Sequence, residues 1–94
     1  MTDCYLWVDD FEDIQQVLEM GAKKYAANGW LDADGHGTSH KEMHDSMFHH
    51  LAQSYAKNRL DDESQLDHLL HVACRALMLY TRLQRGIENP KDRL

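Results

Sequence analysis

Apolar residues recur along this chain at the three-to-four-residue spacing of helices, in three runs separated by polar and glycine-containing stretches. Phe11, Ile14, Val17, Leu18, Gly21 and Tyr25 share one face of a helix predicted over 9–28, capped by Asp9 or Asp10. Residues 29–38, GWLDADGHGT, have the composition of a loop. A second helix is predicted over 39–57, where Ser39 and Glu42 have the spacing of a capping box. Its core row is Met43, Met47, Leu51 and Tyr55, with Phe48 and Ala52 beside them. After a turn at Asn58–Leu60, a third helix is predicted over 62–85, with Asp61 or Asp62 as cap. Leu66, Leu69, Leu70, Ala73, Ala76, Leu77, Tyr80 and Leu83 make its stripe, and Val72, Met78 and Leu79 widen it past one face. A helix this apolar is central or lies at a subunit interface. Gly86 ends it. The pattern predicts an all-α fold, a small bundle of about three main helices completed by homo-oligomerisation. The division is an arm at 1–8, a helical domain at 9–86 and a tail at 87–94.

Composition narrows the partners. The 94 residues suffice for one domain, and a single small core is only marginally stable. The net charge of −6 disfavours a nucleic-acid polymer as partner. Cys4 and Cys74 form no CxxC pair and read as free thiols in a reducing compartment. The N-terminus lacks the basic flank and apolar stretch of a signal peptide, and no run approaches a membrane span. These features predict a cytoplasmic protein with no membrane partner.

Seven histidines, at 36, 40, 44, 49, 50, 68 and 71, raise the prospect of metal or acid–base chemistry. None forms an HExxH motif. On the predicted third helix Glu63, Asp67 and His71 are spaced i, i+4, i+8 and would rise along one stripe. Carboxylates there suit Mg²⁺ or Mn²⁺, and imidazoles shift the preference towards Mn²⁺ or Zn²⁺. The ordinary alternative is a solvated face of intrahelical pairs. His71, between Leu70 and Val72, is either a hydrogen-bonded core histidine or a functional one. Lys23 and Lys24 could meet phosphates or complement the end of the first helix. Tyr25 and Trp30 could stack on a base or close the end of the core.

Two blocks carry a family resemblance. Gly21-Ala22-Lys23-Lys24-Tyr25 followed by Trp30 resembles the G-A-K-K-Y…N-W signature of small phage and prophage dATP/dGTP diphosphohydrolases. His49-His50-Leu51 falls where that family has R-H-L. The run from Asp61 to His71 resembles its D-x-E-S-G-L-x-H-L-x-H. The likeness covers roughly residues 17–85. It implies hydrolysis of deoxynucleoside triphosphates to monophosphate and pyrophosphate in the host cytoplasm. It also implies kinship with helical, Mg²⁺-dependent pyrophosphatases of the MazG type, which work as oligomers. Carried onto this chain, Asp61, Glu63 and Asp67 would hold Mg²⁺ or Mn²⁺. Glu63, His68 and His71 would be catalytic, His68 or His71 by orienting water or a carboxylate or by acting as base. Lys23, Lys24, Tyr25, Trp30 and His50 would bind the nucleoside triphosphate.

The chain departs from the pattern at Gly29, His49 and Gln65, where the family has Asn, Arg and Gly. Lys57-Asn58-Arg59 stands where the family has Gly-Glu before the acidic run. Loss of that glutamate suggests an alternative, a catalytically inactive module that binds a nucleotide or a basic host protein. A third reading is a structural metal site of His40, His44 and His49.

Overall fold

The computed structural model describes residues 7–24, 29–31 and 39–87, and the side chains of 22–24 and 29 lie outside that description. The described residues form three α-helices and one short 3₁₀ turn, with no strand among them. Helix α1 runs Val8–Lys24, α2 His40–Tyr55 and α3 His68–Gln84, and the 3₁₀ turn covers Gly29–Leu31. The fold is all-α, and α3 packs against both other helices. Its core joins Val17 of α1, Met43 of α2 and Cys74, Met78 and Leu79 of α3. Ile14, Leu18, Trp30, Met47, Leu66 and Leu70 pack around them.

Helix α2 starts where the capping box places it. Ser39 Oγ accepts the Glu42 N–H at 3.0 Å, and the Ser39 N–H points back to Glu42 Oε1 at 3.4 Å. The expected core row on α2 holds only at its start. Met43 is buried, whereas Leu51 and Tyr55 are 49% and 89% exposed. Steps of four residues advance about 400° round a helix, so such a row winds about 40° per step off the packing face.

The third helix begins later than its apolar pattern suggests. Asp67 is the N-cap, with Oδ1 accepting the Leu69 N–H at 2.8 Å, and residues 61–66 form a turn. Glu63, Asp67 and His71 therefore do not share a helical stripe. The competing interactions are local. Asp61 N–H bonds Leu66 O at 2.9 Å, Gln65 N–H bonds Asp61 O at 2.7 Å, and Leu60 pairs with Asp67. Short carboxylate side chains favour such turns over helix interiors.

Helices α2 and α3 end alike. After Ala56 and Arg85, Lys57 and Gly86 adopt φ of 69° and 65°, and the next N–H returns to Gln53 O and Arg82 O respectively. Glycine adopts this conformation freely, whereas a lysine carries a Cβ penalty. Lys57→Gly is expected to stabilise the protein by about 1 kcal/mol, read as a higher urea midpoint at unchanged slope. Gly86→Ala is expected to destabilise it by a similar amount.

Candidate functional site

The turn before α3 brings polar groups against the facing side of α2. His50 on α2 and His68 and His71 on α3 are all buried, at 7%, 2% and 8% exposure. His68 is the first residue of α3, and its N–H is anchored on Arg59 O at 2.9 Å. The Nδ1 atoms of His50 and His68 lie 2.8 Å apart. The His71 ring stacks on His50, with centroids 4.4 Å apart and planes 10° apart. His49 completes the group from outside, its ring edge-on to His50 at 5.3 Å.

Asp61 enters from the neck of the turn. Its Oδ2 accepts the Ser64 N–H at 2.8 Å and lies 3.8 Å from His71 Nε2. Ser64 Oγ lies 2.7 Å from His71 Nε2 and also accepts the Leu66 N–H at 3.1 Å. Ser64 thus ties the carboxylate, the turn and His71 together. The ligand atoms that His50, Asp61 and His68 offer all lie within 4.8 Å of one another. They are the one such set found among the described residues.

Electrostatics favour the neutral form of the His50 and His71 rings. Burial, reinforced by the neighbouring His71, lowers the His50 pKa to about 4. Burial also lowers that of His71, partly offset by Asp61. Burial alone would raise the Asp61 pKa, but hydrogen bonds from Ser64 outweigh it and hold the carboxylate ionised. A neutral imidazole and an ionised carboxylate are the forms that ligate metals. His68 Nε2 and His71 Nδ1 are buried without a hydrogen-bond partner. Taken with the facing Nδ1 pair, the donor set fits a divalent cation.

The expected site residues separate into two groups. Asp61, His68 and His71 meet around His50, which the resemblance had placed on substrate rather than among these rings. Asp67 stands apart, its two oxygens taken by the Leu69 N–H and by Arg59 Nε at 2.9 Å. Glu63 is exposed on the turn, with its charge felt at His71. Trp30 packs on the core, and its carbonyl accepts Arg82 Nε at 2.6 Å. Tyr25 and the side chains of Lys23 and Lys24 lie outside the described residues. His49 lies nine residues from His40 and about 180° round the helix from it, so those two cannot converge with His44 on one ion. His44 Nδ1 instead bonds His40 O at 2.7 Å. Ser64 is the group that pattern reasoning left without a role. Its place between Asp61 and His71 is a signal only once the turn is known.

No helix of the described residues is long and apolar enough to cross a membrane. The family model described as "dATP/dGTP diphosphohydrolase, N-terminal" matches residues 6–92. No curated protein and no solved structure matches the chain.

Proposed function

Because the chain belongs to the dATP/dGTP diphosphohydrolase N-terminal family, we propose that it hydrolyses purine deoxynucleoside triphosphates to monophosphate and pyrophosphate with a divalent cation. The observation that carries this reading is the grouping of His50, His68 and Asp61 in a buried histidine cluster. Those three residues would hold the ion. When bound, it would supply charge neutralisation on the phosphates and on the leaving pyrophosphate. The reaction consumes one water, which attacks phosphorus as the bridging P–O bond breaks and pyrophosphate departs.

The protein's own groups would orient and exchange protons. Ser64 spans Asp61 and His71 and holds the carboxylate in one orientation, so His71 acts through Ser64 as a positioning residue. Glu63, exposed beside the cluster, would take the proton of the attacking water. Lys23 and Lys24, at the end of α1, would meet the triphosphate, and Tyr25 or Trp30 would cover the base. Asp67 would serve by fixing the start of α3 and thereby His68. A homo-oligomer would cover Leu69, Tyr80 and Leu83, which share the outer face of α3 at 51%, 62% and 68% exposure.

Product identification tests the bond cleaved. Phosphorus NMR of a dGTP digest is expected to show monophosphate and pyrophosphate. Diphosphate with inorganic phosphate, or nucleoside with triphosphate, would refute the assignment. Ser64→Ala is expected to weaken divalent-ion binding and to lower hydrolysis by about 10–100-fold. Ser64→Thr, which keeps the hydroxyl, should recover most of both, as followed by calorimetric titration and pyrophosphate release.

A further inference from the structure

The donors facing one another here are nitrogen-rich. Two of the three residues that converge are histidines, whose Nδ1 atoms face each other, and only one is a carboxylate. Mg²⁺ prefers oxygen donors, keeps much of its water and gives up little of it to imidazole. Mn²⁺, Fe²⁺, Co²⁺, Ni²⁺ and Zn²⁺ accept imidazole readily.

We propose that His50 Nδ1, His68 Nδ1 and the Asp61 carboxylate form a binding site for an imidazole-accepting transition-type divalent ion, one that discriminates against Mg²⁺. The spacing supports this. Two nitrogens about 2.05 Å from one ion are about 2.9 Å apart at right angles and about 3.3 Å apart in a tetrahedron. The Nδ1 pair already stands at 2.8 Å, close to the right-angle separation, so an octahedral ion needs little movement of either ring. Both ligand rings are more than nine-tenths buried, and the backbone of each is fixed in a helix packed on the other. Such a pair cannot turn away to water, so the ion meets donors already in place.

Without an ion, the short Nδ1 contact requires one of the two rings to carry a proton on Nδ1. With an ion, both Nδ1 atoms are bare, and that proton sits on Nε2 instead. His68 Nε2 has no partner, so a proton placed there would be a buried, unsatisfied donor.

The test uses the metal-stripped chain with Co²⁺ and Mg²⁺ as probes. Co²⁺ is expected to bind at one per chain, to produce visible ligand-field absorption, and to raise Tm by about 10 °C or more at roughly 100-fold excess over Kd. Millimolar Mg²⁺ should leave both signals unchanged and should not displace Co²⁺. The absorption should be lost in His50→Gln and His68→Gln, weakened at least tenfold in affinity by Asp61→Asn, and kept in His44→Gln. The wild-type Mg²⁺ competition does not depend on any variant folding. Displacement of Co²⁺ by equimolar Mg²⁺, absence of binding, or full binding in His68→Gln would overturn the proposal. It rests on the hydrolase reading for the ion's purpose but not for its binding, so the two fail separately. Co²⁺ binding without turnover removes only the hydrolase, and turnover supported by Mg²⁺ with no Co²⁺ site removes only this site.

Discussion

His68→Gln is expected to lower deoxynucleoside triphosphate hydrolysis by at least about 100-fold, because losing a ligand exceeds the roughly 10–100-fold cost of losing an outer partner. The residue contributes little that another group could replace. It opens α3, it is 2% exposed, and its Nδ1 faces that of His50 at 2.8 Å. Glutamine is close in size and polar, so the variant should fold, and circular dichroism would confirm that. The loss should appear mainly in kcat at saturating nucleotide, since Lys23, Lys24 and the aromatic residues proposed for binding are untouched. A variant within a few-fold of wild type would remove His68 from the site.

The second large effect is on stability. In the metal-free protein, kept so with chelator, the His50 pKa is about 4, well below its ordinary value of 6.5. Above about pH 6.5 the ring is neutral in both folded and unfolded chains, and the shift has no effect. As pH falls from 6.5 to 4, the unfolded chain takes up a proton that the folded chain refuses. Stability is therefore full above pH 6.5 and declines as the solution is acidified to about pH 4. The total is roughly 3 kcal/mol for this ring, and His71, shifted the same way, adds to it. Asp61 and Asp67, whose pKa values are depressed, become costly only at lower pH, as they protonate. Urea midpoints measured between pH 8 and pH 4 should fall steeply over this window. A flat profile would mean that the cluster opens to water, and that the rings are not held as described.

The residue pattern conveys the scaffold better than the site. Ser39 and Glu42 mark the start of α2 because a capping box depends on residues three apart in sequence. Val17 and Met43 are where helical spacing puts them, whereas the stripe expected on α3 leaves Leu69, Leu77, Tyr80 and Leu83 exposed, and Cys74, Met78 and Leu79 form the core instead. The errors arise where a local polar interaction competes with that spacing. Asp67 continues the helical pattern of Glu63 and His71, yet it caps α3, and this frees Asp61 and Ser64 to turn towards His71. His50 and His68 are 18 residues apart in sequence, and nothing in the spacing within either helix brings their rings together. The resemblance helped, because the R-H-L and D-x-E-S blocks contain the residues that meet. The departures from it are interpretable too. Gln65 stands in place of the family's glycine and keeps a φ of 60°, with its amide donating to Asp62 O at 2.8 Å. That side-chain bond offsets part of the strain.

The most direct measurement is pyrophosphate release from the four deoxynucleoside and four ribonucleoside triphosphates, with Mn²⁺, Co²⁺ or Mg²⁺ and with EDTA. We expect release from dATP or dGTP that requires the divalent ion and disappears in EDTA. No release from any nucleotide with any ion, from a sample shown to be folded, would contradict the hydrolase account and leave a chain that keeps the family's fold as a binding module.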